Sequence, residues 1–239
     1  MLMKIETSCL LAVDFQERLM PAIHDADRIV ANGAWLIQIA QRLNVPVLAS
    51  EQYPRGLGHT VAAIRERLPA EAFMEKLHFS CAAERDCMRR IDALGRQQIV
   101  VIGAEAHVCV LQTALDLRAA GRDVYLVADA VSSRSPRDVE LALERMRAEG
   151  VRVVSREMVV FEWLHQAGDD RFREISREFY ANRLLPAHPS PPWRGNIHET
   201  SWEITPWLVL SLPSRAVPAS PSASAPSRSA ATRPSWCSR

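Results

Sequence analysis

The 239-residue sequence has no apolar run that approaches the eighteen or so residues of a membrane span. Its longest C-terminal candidate, Trp207–Leu212, is a third of that length. The N-terminus lacks an apolar signal core and a small-residue cleavage site, and Lys4 and Glu6 already interrupt it. An uncleaved cytoplasmic protein is expected. An excess of charge of either sign is missing too: 29 basic face 28 acidic residues, and the net charge is +1. No strong field draws the chain to nucleic acid or to an anionic membrane, so neither partner is expected.

Cysteine is sparse and unpatterned. The five residues Cys9, Cys81, Cys87, Cys109 and Cys237 are odd in number and form no C-x-x-C, which argues against a disulfide framework. The seven histidines are scattered, with no H-x-x-x-H or H-E-x-x-H spacing, so no structural zinc is expected. Aromatics make up 6% of the chain; 48% is hydrophobic and 24% charged, an ordinary globular composition. Lysine is the scarcest charge. Lys4 and Lys76 are the only two among the 29 basic residues.

Composition breaks near residue 188. Residues 190–239 hold 11 of the serines, 8 of the 15 prolines and 4 of the 6 tryptophans, with five Arg against Glu199 and Glu203. From Pro213 onward the aperiodic Ser/Pro/Ala/Arg text cannot bury enough apolar surface to offset the entropy of ordering. A folded domain over 1–188 and a disordered Pro/Ser/Trp-rich tail over 189–239 are expected. That tail reads either as a docking segment around Trp193, Trp202 and Trp207 or as an extension without a role.

Within the domain, short apolar runs alternate with helix-period stretches. Strands are expected at Cys9–Val13, Val45–Ala49, Ala72–Glu75, Gln98–Gly103, Asp123–Ala128 and Val151–Ser155. Helices are expected at 26–43, 61–68, 82–94, 108–120, 135–149 and 170–185, with a Pro/Gly loop over Tyr53–Gly58. Strands apolar on both faces and alternating with helices predict an α/β fold: a doubly wound three-layer sandwich whose six-stranded, mainly parallel sheet has the order 3-2-1-4-5-6. Ligands of such sheets sit beyond the carboxyl ends of the strands. That end collects Asp14, Ser50-Glu51-Gln52, Lys76 and Gly103–Cys109.

Three of these residues are candidates for chemistry. Cys109, just inside a helix start, reads either as an activated thiol or as a small buried hydrophobe. Asp14, directly after an apolar strand, reads as a proton acceptor or as a cap. Lys76, in a chain that writes its positive charge as Arg, reads as a tunable amine or as one chance lysine. Their convergence on one crevice favours function for all three. Of their neighbours, His107 reads as a substrate contact or a loop cap, and Tyr53 and Phe15 as pocket walls or covers of the sheet end. Gln16 is expected to hold the first loop, His78, Phe79 and Ser80 to support Lys76, and Met74 and Met158 to fill the core.

Asp14-Phe15-Gln16, Glu51–Gly58, Glu75–Ser80 and Gly103–Val110 together resemble the isochorismatase-like hydrolase superfamily, in its cysteine-hydrolase branch, over roughly residues 5–185. The resemblance implies a triad of Asp14, Lys76 and the nucleophile Cys109. It also implies a non-proline cis peptide at Ala104–Glu105 and an oxyanion hole from the Glu105 and Cys109 N–H groups. Phe15, Gln16, Tyr53 and His107 become substrate-side candidates. A homo-oligomer acting on a small molecule without a cofactor is implied as well. Ser50-Glu51-Gln52 departs from the Asp/His/His metal cluster of nicotinamidase-like members, so no metal is expected. The presence of Cys109 departs from members that cleave isochorismate, and Ala106 replaces a common threonine. The expected activity is hydrolysis of a small amide, imide or related acyl compound through a thioester. The alternative is a non-hydrolytic small-molecule-binding or thiol-redox protein.

Overall fold

A computed structural model describes residues 1–180. The end of the helix expected at 170–185, the boundary at 188 and the tail lie outside the described residues. Six strands form one parallel sheet in the order β3-β2-β1-β4-β5-β6: β1 (Ser8–Val13), β2 (Val47–Gln52), β3 (Phe73–Lys76), β4 (Gln98–Ala104), β5 (Asp123–Ser132) and β6 (Arg152–Val154). The expected fold class and strand order are those observed.

Each central strand is buried along its whole length because the two faces of the sheet are covered by different helices. Leu10, Ala12, Val100, Ile102, Tyr125 and Val127 pack on one face with Ile29, Leu36 and Ile37 of α1 (Ala26–Arg42). Cys9, Leu11, Val13, Ile99, Val101 and Leu126 pack on the other. There they meet α4 (Arg85–Ala93), α5 (Leu111–Ala119) and α6 (Pro136–Ala148), once the one-turn α2 (Pro54–Leu57) and α3 (Ala62–Arg65) have been passed. Each Leu, Ile or Val so buried contributes roughly 1.5–3 kcal/mol.

Several local expectations change, among them the helix expected at 61–68, which closes after Ala62–Arg65, and the one expected from 82, which starts at Arg85. Tyr53–Gly58 is not an open loop, because Pro54 at the first helical position starts α2. Strand β5 runs on to Ser132, and its register with β4 slips between Val101 and Gly103. Past β6 an unexpected helix, α7 (Arg156–Leu164), buries Val159, Val160, Trp163 and Leu164. Its cap is reciprocal: Ser155 Oγ accepts from the Met158 N–H at 3.2 Å, and the Ser155 N–H points to Met158 Sδ at 3.4 Å. Met158 is therefore no core filler; it is 48% exposed and serves the cap. Met74, by contrast, is buried. The described chain ends in α8 (Asp170–Ile175) and a wider turn over Ser176–Tyr180. Among the described residues no helix is long and apolar enough to cross a membrane.

Candidate active site

Strand register assembles the site. Val13 lies beside Ser50 in the β1–β2 pair and beside Gly103 in the β1–β4 pair, and Gln52 lies beside Lys76 in the β2–β3 pair. The carboxyl ends of β1, β2, β3 and β4 thus meet around one point. Close approach of β1 to β4 there requires glycine. A Cβ on Gly103, at φ +130, would stand 2.0 Å from the Val13 carbonyl oxygen.

Asp14 follows β1 in the left-handed region, φ 52, a conformation Asp adopts more readily than most residues. Its N–H donates to the Ser50 carbonyl at 3.1 Å, which ties the turn to β2. The fully buried carboxylate accepts from Ser50 Oγ at 2.6 Å and from Lys76 Nζ at 2.7 Å. The Lys76 ammonium also donates to Gln52 Oε1 at 2.7 Å and to the Phe79 carbonyl at 2.9 Å. An ammonium has three N–H donors, and these acceptors use all three.

Cys109 lies in a π-helical turn, Ala106–Val110, inserted between β4 and α5. The Ala104–Glu105 peptide before it is cis, and the Glu105 carbonyl accepts from the N–H groups of Val108 and Val110. Cys109 is buried, with Sγ 4.0 Å from Gln52 Oε1.

Electrostatics follow from this enclosure. Burial pushes the Cys109 thiol above its ordinary range, and the Asp14 charge adds to that against the opposing pull of Lys76. Proximity to a helix start does not outweigh either effect. Burial also raises Asp14 above the usual carboxylate range, although Lys76 and Ser50 pull it down. For Lys76, burial lowers the ammonium, but the charge of Asp14, with Cys81 and Cys109 adding, raises it overall. The resting arrangement is a buried Asp14–Lys76 ion pair beside a protonated thiol, with the carboxylate a stronger base than one in water.

The other candidates divide. Gln16 holds the loop: its Nε2 donates to the carbonyls of Gln52 at 3.0 Å and Gly58 at 2.7 Å, and its Oε1 accepts from the Gln52 N–H at 2.7 Å. Phe15 is no pocket wall. It is 1% exposed and packs under α1, where its ring comes within 3.1 Å of the place a Gly33 Cβ would take. Tyr53, 51% exposed, joins Lys76, Leu77 and Glu84 in the wall of a 340 Å³ cavity beside β3; Cys109 lies outside that wall. A larger cavity of 650 Å³ sits at the opposite end of β1, against Met1–Glu6, away from these groups. His107 Nδ1 lies 2.9 Å from Ser133 Oγ, with Nε2 3.9 Å from Asp138 of α6. The Glu105 carboxylate pairs with Arg134 at 2.8 Å. Phe79 supports Lys76 through its carbonyl, whereas His78 is engaged with Glu84.

Sequence reading places Ser50 and Gln52 at the strand end but gives neither a part in the chemistry. Both end β2, and pairing Gln52 with Lys76 across β2 and β3 is the signal that would have found the second.

Among the described residues no group of three or more His, Cys, Asp or Glu is placed to hold a metal ion. At the nicotinamidase-like metal position, the Glu51 carboxylate is taken up by His59 Nδ1 at 3.0 Å and by the Thr60 N–H and Oγ1 at 2.7 and 2.8 Å.

A doubly wound parallel sheet whose strand ends gather a carboxylate, an ammonium and a thiol has the fold of the isochorismatase-family hydrolases. The isochorismatase domain matches residues 8–158, and the chain belongs to that family. Isochorismatase domain-containing protein 2 of Danio rerio is 39% identical over 187 residues, covering 77% of this chain and 89% of the relative. Isochorismatase domain-containing protein 1 of Salmo salar is 38% identical over 169 residues, 71% of this chain; the chain spans only 59% of that relative. The structure of MAR1 ribonuclease from Caenorhabditis elegans superposes with a TM-score of 0.70 at 30% identity, covering 79% of this chain and 99% of that one.

Proposed function

We propose that the protein is a cysteine-dependent hydrolase of a small amide, imide or related acyl compound, working through a thioester on Cys109. One observation carries the reading: a fully buried Asp14–Lys76 ion pair at 2.7 Å, with the Cys109 thiol beside it at the same strand end. Asp14 takes the thiol proton, Lys76 turns its charge to the sulfur, and the thiolate attacks the substrate carbonyl carbon. The tetrahedral oxyanion is held by the Glu105 and Cys109 N–H groups. The C–N bond breaks, the leaving nitrogen takes the proton from Asp14, and a thioester remains. Water, deprotonated by Asp14, cleaves the thioester and restores the thiol.

A vinyl ether offers no carbonyl to such a thiolate, so isochorismate itself is a poor candidate. Substrate contacts come from Tyr53 and His107, with Gln16 bracing the loop. The domain is proposed to span 1–188 and to work without a cofactor as a cytoplasmic homo-oligomer.

The test is a panel of small amides, imides and ureides, with an RNA as comparison, read by product release and by intact mass for an acyl adduct. Turnover with an adduct mapped to Cys109, both abolished in Cys109→Ala, supports the reading. Hydrolysis by Cys109→Ala at near wild-type rate overturns it. No hydrolysis of any compound, together with reversible peroxide oxidation of Cys109, would favour the thiol-redox alternative.

A further inference from the structure

We propose that Gln52 is a positioning residue of this site. Its side-chain oxygen holds the Lys76 ammonium on Asp14 and keeps the Cys109 thiol protonated in the resting protein. The inference rests on the reading of Cys109 as nucleophile for its consequence in turnover, but the protonation state it concerns is measured without a substrate.

The Gln52 amide has no freedom to turn. Both its own N–H and its own carbonyl are bonded to the Gln16 side chain, at 2.7 and 3.0 Å. Its side-chain Nε2 donates to the Leu77 carbonyl at 2.8 Å, so Oε1 must face Lys76 Nζ, 2.7 Å away. The reverse orientation would set an NH2 group against an ammonium and one carbonyl oxygen against another. Oε1 also lies 4.0 Å from Cys109 Sγ, where it accepts from the thiol S–H.

Two consequences follow. Asp14, Phe79 and Gln52 each accept from Lys76, so the Gln52 oxygen competes with the sulfur for an ammonium that faces both. The partial negative charge of an amide oxygen beside the sulfur favours S–H over a bare thiolate. When Asp14 takes the thiol proton its ion pair with Lys76 is lost, and the Gln52 oxygen is then what still holds the ammonium away from the sulfur.

The other groups around the sulfur do not obscure this. Asp14 from β1 and Lys76 from β3 face Cys109. Cys81, between β3 and α4, faces Asp14 and Lys76; burial first, then the Asp14 charge, push it up to about 11, so it is uncharged at neutral pH. On the turn of Cys109 itself, Glu105 is paired with Arg134 and His107 with Ser133.

The experiment is the pH dependence of iodoacetamide alkylation, mapped to Cys109 by peptide mass, in the full chain and two variants. Gln52→Met keeps a side chain of similar length but removes the oxygen, so one Lys76 N–H turns to the sulfur. Its alkylation midpoint falls by about one pH unit, or roughly tenfold faster alkylation near pH 7. Gln52→Glu still accepts from Lys76 but sets a negative charge against the sulfur, so its midpoint rises by a similar amount. Far-UV circular dichroism checks folding, and if Gln52→Met does not fold, the upward shift in Gln52→Glu decides alone. Opposite shifts establish the role. Midpoints that stay in place, or that move in the same direction, overturn it, because loose packing at residue 52 would expose the thiol alike in both. A failed amide panel leaves this result standing, and a failed shift leaves hydrolysis standing.

Discussion

Gly103→Ala tests the geometry on which the whole strand-end site depends. The added Cβ meets the Val13 carbonyl oxygen at 2.0 Å and the Val13 N and carbonyl carbon at 2.8 Å, all backbone atoms of a central strand. None is the far end of a flexible side chain, so β1 or β4 must move. Two costs combine. Holding an L-residue at the φ of +130 costs about 1–3 kcal/mol. Overpacking against the backbone adds about 1–3 kcal/mol. The expected loss of about 2–6 kcal/mol is a large part of the roughly 5–15 kcal/mol that holds a domain folded. At this size it lowers Tm by roughly 5–20 °C. Gly95→Ala is the control: its φ of +61 lies in the left-handed region that L-residues enter at a smaller cost, and nothing lies within 4 Å of the added Cβ. It should lose only the conformational part, about 1–2 kcal/mol. Urea titrations of both variants, read by tryptophan fluorescence and by circular dichroism, give the difference directly. If Gly103→Ala is no less stable than Gly95→Ala, the close approach of β1 and β4 is wrong, and with it the placement of Asp14.

Other outcomes are equally specific. Lys76→Met leaves the fully buried Asp14 without its partner and should cost about 3–5 kcal/mol at neutral pH, most of it recovered in the double variant Asp14→Leu/Lys76→Met, by denaturant midpoint. Burial raises the Glu51 carboxyl, but the bonds from His59 and Thr60 outweigh it and hold the group below its ordinary value of 4.5. Its stabilisation is therefore complete above that value and lost as pH falls through the lower folded one, so urea midpoints at pH 7 and pH 3.5 should differ less in Glu51→Gln than in the parent. Truncation after residue 188 should leave amide turnover and Tm within error, because every proposed catalytic group precedes residue 110. Light scattering at micromolar concentration should give a mass above that of one chain; a strict monomer refutes the proposed assembly.

The central strands were legible because burial on both faces turns Cys9–Val13 and Gln98–Gly103 into unbroken apolar runs, and the strand order follows from crossover handedness. The polar residues at the ends of those runs bring Asp14, Lys76 and Cys109 to one crevice, although each alone reads equally as a cap, a chance lysine or a buried hydrophobe. Elements whose signal is chemical rather than periodic were harder to read. Helix α7 begins at a serine that also extends an apolar strand, and its second capping group is a thioether where a Glu or Gln is usual. The depth of Phe15 depends on a glycine in another element, Gly33, leaving room for its ring, which no local pattern encodes. Gln52 is only a polar strand end without a role until β3 pairs with β2 and sets Lys76 at its side.

Strand β3 is four residues long and lies at the outer edge of the sheet, bonded to β2 on one side only. The single lysine of the candidate site is its last residue. Edge strands fray before central ones, because fewer backbone bonds must open to release them. Loss of this one short rung would leave Asp14 and Cys109 in place on β1 and beyond β4 while withdrawing the ammonium that joins them. Heat inactivation should therefore be a separate event from melting, set at the sheet margin with the core still intact, and its midpoint should fall below the calorimetric Tm.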